Sequence, residues 1–172
     1  MTATFAPDRT EAADYYFTYI NQVGDGDIRA ILRAQLPEVL SVLGAVSEEK
    51  SLHRYAADKW TIRQVASHLN DCERMFTFRA LWFARGFDTP LPSFDQNVAI
   101  ATADADARQL SSHVDEFRHI RNATIALFDH LPVEAWTRRG IASDNPFSVR
   151  ALAYITAGHV THHIRILRER YL

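Results

Sequence analysis

His159 and His163 stand four residues apart in Gly158-His159-Val160-Thr161-His162-His163, and a third histidine, His68, lies far upstream. On a helix an i, i+4 pair puts both imidazoles on one face, at a separation that can chelate one metal ion. A third imidazole from a facing helix would complete a three-histidine site with an open coordination position. Neutral imidazoles leave the charge of a divalent ion uncompensated, so a bound water or thiol would have a lowered pKa. The plainer alternative is three polar residues satisfied at the edge of a core, and for any single histidine that is the commoner case. Spacing alone leaves the two readings open. Three imidazoles facing one core would each need hydrogen-bond partners, however, and a metal ion satisfies all three at once.

Helices must position these residues. Apolar periodicity is helical almost throughout, with no sustained strand alternation. A first helix is expected from Asp8 to Val23, opened by an Asp8/Glu11 capping box and ended by Gly24-Asp25-Gly26-Asp27. A second runs from about Asp27 to Val46, with Pro37 expected to kink it or force a local adjustment. A short helical turn opens at Ser47. The best-signalled helix follows, with Thr61 as N-cap, Gln64 answering at N3, and Trp60 and Val65 as a hydrophobic staple. His68 flanks its apolar stripe, and Gly86 ends it. Phe87 to Asp106 reads as a long surface crossover. A fourth helix is expected from about Ala107 to Leu131, then an irregular stretch from Val133 to Pro146. The last helix starts at Ser148 and is apolar over so wide an arc that it must be covered on two sides, by another helix or by a second subunit.

That arc separates His163 from His162. At 100° per residue, His163 falls among Leu152, Ile155, Ile166 and Leu167, while His162 falls at the edge toward Gly158 and Glu169. His163 is therefore the interior residue, and His162 is expected at the mouth of a pocket or on the surface.

The 172 residues suit one domain with a real core, and apolar and charged contents of 47% and 23% are those of an ordinary globular chain. A net charge of −2, with no basic run, gives no reason to expect nucleic acid or an acidic membrane as partner. No apolar stretch approaches the length of a membrane span. The first residues lack the basic and apolar regions of a signal peptide. The lone Cys72 forbids an intramolecular disulfide, which fits a cytoplasmic protein.

The residues around the histidines carry a resemblance. Lys59-Trp60-Thr61-Ile62-Arg63-Gln64-Val65-Ala66-Ser67-His68-Leu69-Asn70-Asp71-Cys72-Glu73-Arg74 and Tyr154-Ile155-Thr156-Ala157-Gly158-His159-Val160-Thr161-His162-His163-Ile164 resemble the two signature blocks of the DinB-like, or YfiT-like, superfamily. Tyr19-Ile20, Gly24 to Asp27, Arg79 to Gly86 and Phe94-Asp95 extend the likeness over most of the chain. The resemblance implies an all-α fold, a four-helix bundle with long crossover connections filling residues 1–172 as one domain. It implies His68, His159 and His163 as ligands of a divalent metal, zinc or nickel first, with iron or manganese as alternatives, and a homodimer. It further implies a metal-dependent hydrolase, or an S-transferase using a low-molecular-weight thiol such as mycothiol or bacillithiol, acting on a small molecule. The alternative is a non-catalytic, stress-associated metal- or ligand-binding module that dimerises through the last helix.

Cys72 stands where relatives usually carry a small residue. Its i, i+4 spacing from His68 permits contact, but its place in the apolar stripe favours a core role over that of a fourth ligand or a nucleophile. Asp71 and Glu73 are candidates to orient an imidazole, although Glu73 could equally pair with an arginine. His53, His113, His119 and His130 share no convergent spacing and are expected at the surface. Tyr16, Phe76, Trp82 and Phe83 are expected in the core.

Overall fold

The strongest start signal in the sequence builds the helix that carries His68. Thr61 accepts a hydrogen bond from the Gln64 backbone N–H, and Gln64 Oε1 accepts one from the Thr61 N–H, both at 3.0 Å. This reciprocal box opens a helix over Ile62–Ala84. The helix closes at Gly86, whose φ of +83° lies in the left-handed region that favours glycine. The computed structural model describes residues 5–172. Residues 1–4, part of the stretch expected not to be a signal peptide, lie outside the described residues.

The helices, in order, are α1 (Phe17–Ile20), α2 (Ile28–Gly44), α3 (Ile62–Ala84), α4 (Gln96–Thr102), α5 (Leu110–Asp129) and α6 (Val149–Ile166). A widened turn over Leu167–Tyr171 continues α6. The four long helices form the bundle. α6 packs on α3 and α2, and α5 packs on α3 and α2. The core falls into two clusters, and each long helix passes from one to the other. α3 and α5 run one way, while α2 and α6 run the other. The neighbours α3 and α5 are therefore parallel, which a short loop cannot connect. The long crossover expected after Phe87 follows from this, although it holds its own short helix α4, capped by Asp95.

A polar layer separates the two core clusters. Arg121 on α5 donates to both carboxylate oxygens of Glu73 on α3, at 2.6 and 2.7 Å, and to Gln35 Oε1 on α2 at 2.9 Å. Gln35 Nε2 donates to the Ala157 carbonyl and to Thr161 Oγ1 on α6, both at 2.8 Å. One chain of hydrogen bonds, charge-assisted at Arg121 and neutral where Gln35 meets α6, thus ties all four helices together at the level of the histidines. Of the two roles open to Glu73, the arginine partner is the one observed.

Several expectations are corrected. Asp8 and Glu11 do not start a long helix. Asp8 instead turns onto Thr10, while Glu11 is buried and accepts from Ser148 Oγ at 2.7 Å and from Arg150. The first helical segment shrinks to a single turn over Asp14–Tyr16 followed by α1. The stretch expected to be irregular before α6 contains a hairpin, β1 (Arg139–Ala142) with β2 (Asn145–Ser148). Its two-residue turn, Ser143-Asp144, has φ of 51° and 59°, the mirror-image turn that matches strand twist. α2 runs through Pro37 without a break in the helix. Trp82 is only half-buried, stacked on Phe87 at the surface, whereas Phe76 and Phe83 are core.

His113 is also not at the surface. It is buried on α5, its Nε2 lies 3.0 Å from the Ala105 carbonyl, and its Nδ1 has no partner among the described residues. The wide apolar arc of α6 is covered within the chain over most of its length, by α3 on one side and by α1 and α2 on the other. Among the described residues, no helix is long and apolar enough to cross a membrane.

Candidate metal centre

α3 and α6 deliver the histidines from two facing helices. The Nε2 atoms of His68 and His159 stand 3.0 Å apart, and the two residues are only 2% and 4% exposed. Two tetrahedral zinc ligands at ordinary Zn–N lengths have nitrogens about 3.3 Å apart, so this pair nearly has the separation one ion requires. The His163 ring packs with its centroid 4.8 Å from that of His68 and 4.5 Å from that of His159. All three imidazoles therefore share one place in the bundle.

Cys72 joins them. Its Sγ lies 3.5 Å from His68 Nδ1, and the ligand atoms of His68, Cys72 and His159 all fall within 4.8 Å of one another. Cys72 is at the same time a member of the apolar core. His162 and His163 are both half-buried; His162 has its Nδ1 3.5 Å from Gln22 Nε2 and its ring edge-on to Tyr19. Asp71 makes no described hydrogen bond to an imidazole. His53, His119 and His130 are exposed, as expected.

Burial sets the charge state. It pushes the pKa of His68 down to about 4, with the nearby His162 adding to the effect. It pushes His163 down to about 3, helped by His68 and His162. His159 is held well below the ordinary histidine value by burial and then by His163, His68 and His162. At neutral pH all three are uncharged, the form in which imidazole binds metal. Burial pushes the Cys72 thiol up to about 12; Asp71 adds to this and Arg79 opposes it.

A cavity of about 300 Å³ opens beside the cluster, with Cys72, Phe76 and His159 at its floor and Tyr16, Tyr19 and Arg79 on its walls. Tyr19 covers His159 with its ring, centroid to centroid 5.4 Å, and burial raises its own pKa. A second cavity of about 250 Å³, bounded by Lys59, Trp60 and Tyr171, reaches His163 from the other side. The reading of Tyr16 as core gives way to a cavity-wall position. The role of Arg79 was not legible from the sequence as a single residue. Its register was, because it lies eleven residues after His68 and so on the same face of α3.

No curated protein is significantly similar to the chain. Among solved structures, YfiT from Bacillus subtilis, described as a probable metal-dependent hydrolase with an unusual four-helix bundle topology, is similar with a TM-score of 0.75 and 16% identity, covering 95% of this chain and 89% of that one. At that identity the likeness establishes the fold. Residues 31–167 match the DinB superfamily, most of the chain and both histidine-bearing helices, and the protein belongs to that superfamily.

Proposed function

We propose that this protein is a metal-dependent enzyme in which His68, His159 and His163 would hold a divalent ion, zinc or nickel, beside the cavity under Tyr19. The observation that carries the reading is the 3.0 Å approach of two buried, neutral Nε2 atoms beside a cavity large enough for a small molecule. A divalent ion bound there would lower the pKa of a bound water or low-molecular-weight thiol and so supply a nucleophile at neutral pH.

The protein's own groups do the rest. His163 is favoured over Cys72 as third ligand because a neutral imidazole gives up no proton on binding, whereas the Cys72 thiol is held protonated by its surroundings. Phe76 and the Tyr19 ring keep water from the back of His159. The polar layer fixes α3 against α6 through Glu73, Arg121 and Gln35, and so fixes the distance between His68 and His159. The reaction class is displacement at an electrophilic centre. With water as nucleophile it is hydrolysis; with a thiol it is S-transfer.

The test is elemental analysis of protein purified without a histidine tag, followed by ester, amide and epoxide substrates with and without added thiols. Near-stoichiometric metal and a turnover lost on chelation are expected. Protein that takes up no divalent metal would overturn the reading. Stoichiometric metal without turnover on any substrate would favour the second reading, a non-catalytic binding module.

A further inference from the structure

The cavity beside the histidines has a charged residue that the metal reading does not use. Arg79 is 3% exposed, yet no carboxylate among the described residues pairs with it. The other two buried arginines, Arg63 and Arg121, each have a carboxylate partner, Glu48 and Glu73. Of the five N–H donors of Arg79, those on Nη2 go to the Pro92 carbonyl at 2.9 Å and to Ser143 Oγ at 2.8 Å. Those acceptors are neutral. A guanidinium taken out of water with no counter-charge is costly, and such groups are found paired or awaiting a partner.

The surroundings say what that partner is. Arg79 lies on the cavity wall, and Tyr16 lies against it. Burial raises the Tyr16 pKa, so its hydroxyl is protonated and does not neutralise the guanidinium. Asp95 also lines the cavity, at its exposed mouth, with Oδ1 engaged by the backbone N–H groups of Asn97 and Val98 at 2.8 and 3.2 Å. Arg79 is the one cationic residue among the cavity's described lining residues, which suits a single negative charge better than a phosphate dianion. The walls between Arg79 and the histidines are aromatic, from Tyr16, Tyr19 and Phe76. Cys72 and Arg79 lie on the same face of α3, two turns or about 10 Å apart along the axis.

We propose that the cavity takes a small organic monocarboxylate, its carboxylate held by Arg79 and Tyr16, its apolar or aromatic body among the tyrosines, and its reactive group toward the histidine cluster. Arg79 is then a specificity residue: it selects anionic over neutral substrates and sets which end of the molecule reaches the reactive centre. The orientation of the substrate rests on the metal reading above; the anion site at Arg79 does not need the metal.

The test uses 3-phenylpropionate and its neutral isostere 3-phenylpropionamide with the full chain, metal-loaded and chelated. The chain has two methionines, and Met75 lines the cavity, so a ¹³C-methyl-methionine spectrum reports occupancy of this site directly. The acid should shift the Met75 methyl signal and bind about tenfold tighter than the amide, or better, as expected for a charge-assisted hydrogen bond. Arg79→Gln should abolish the preference while keeping metal content; Arg79→Lys should keep part of it. Equal binding of acid and amide, no Met75 shift with either, or a preference that survives in a folded Arg79→Gln variant would overturn the proposal. If that variant fails to fold, the comparison of acid and amide at Met75 in the unaltered chain decides. Charge-selective binding in protein that never takes up metal would uphold this site and overturn the metal reading, and metal uptake without charge selectivity would do the reverse.

Discussion

The backbone carbonyl of Tyr19 rests on the α-carbon of Gly158, so close that a β-carbon there would meet the oxygen at 2.1 Å. This contact lets α1 lie directly on α6 and carries the Tyr19 ring over His159 and His162. The obstacle is backbone, which cannot swing aside as a side chain can. Gly158→Ala should therefore lift α1 from α6, destabilise the protein by about 2–3 kcal/mol, and expose His159. Chemical denaturation measures the first effect. Loss of the Tyr19 contact should also appear as faster metal release to a chelator. A variant of unchanged stability would show that α1 does not pack as described.

His163 and His162 are separated by removal. His163→Ala should lose metal as completely as His68→Ala or His159→Ala, whereas His162→Ala should keep it. Cys72→Ala should also keep it, with only the modest cost of a small core truncation. Metal removal from the unaltered protein should lower the melting temperature, since binding at a hundredfold excess over Kd adds about 2.7 kcal/mol. If Cys72→Ala is metal-free while His163→Ala is loaded, the third ligand is the sulfur.

The Glu73–Arg121 pair is fully buried, so leaving one partner unmatched should be severe. Glu73→Leu or Arg121→Met alone should cost about 3–5 kcal/mol. Replacing the pair together, as Glu73→Leu with Arg121→Met, should recover most of that loss, and the non-additivity can be read from a double-mutant cycle. Additive losses would mean that the two residues do not act as a pair.

The histidines also set a pH dependence in metal-free protein. Above pH 6.5 they are neutral in folded and unfolded chains alike. Below it the unfolded chain takes up protons while His68 and His163, with pKa values lowered to about 4 and about 3, do not. The unfolded state then binds more protons, so stability falls as pH drops from 6.5 toward 4, by about 1.4 kcal/mol per pH unit for each histidine. Denaturation midpoints across pH 4–8 measure it. A flat profile below pH 6.5 would contradict burial of neutral imidazoles.

Much of this was written locally. The Thr61/Gln64 box, the stop at Gly86, the Ser148 cap and the helical spacing of His159 and His163 depend on residues within one or two turns of each other, so the sequence alone determined α3, α6 and the histidine faces on them. Glu11, His113 and Arg79 show where that stops. Each is polar and looks solvent-bound by its own neighbours, and each is buried by elements far away in the chain: Glu11 by Ser148 and Arg150, His113 against Ala105 and α3, Arg79 by the Pro92 and Ser143 loops. The short hairpin before α6 also escaped, because four-residue strands carry too little alternation to register. Helix formation is decided by contacts a few residues apart. Which polar groups meet in the interior is decided by how whole helices pack, and only the tertiary structure brought Cys72 to His68 and His159 and left Arg79 without a counter-charge beside them.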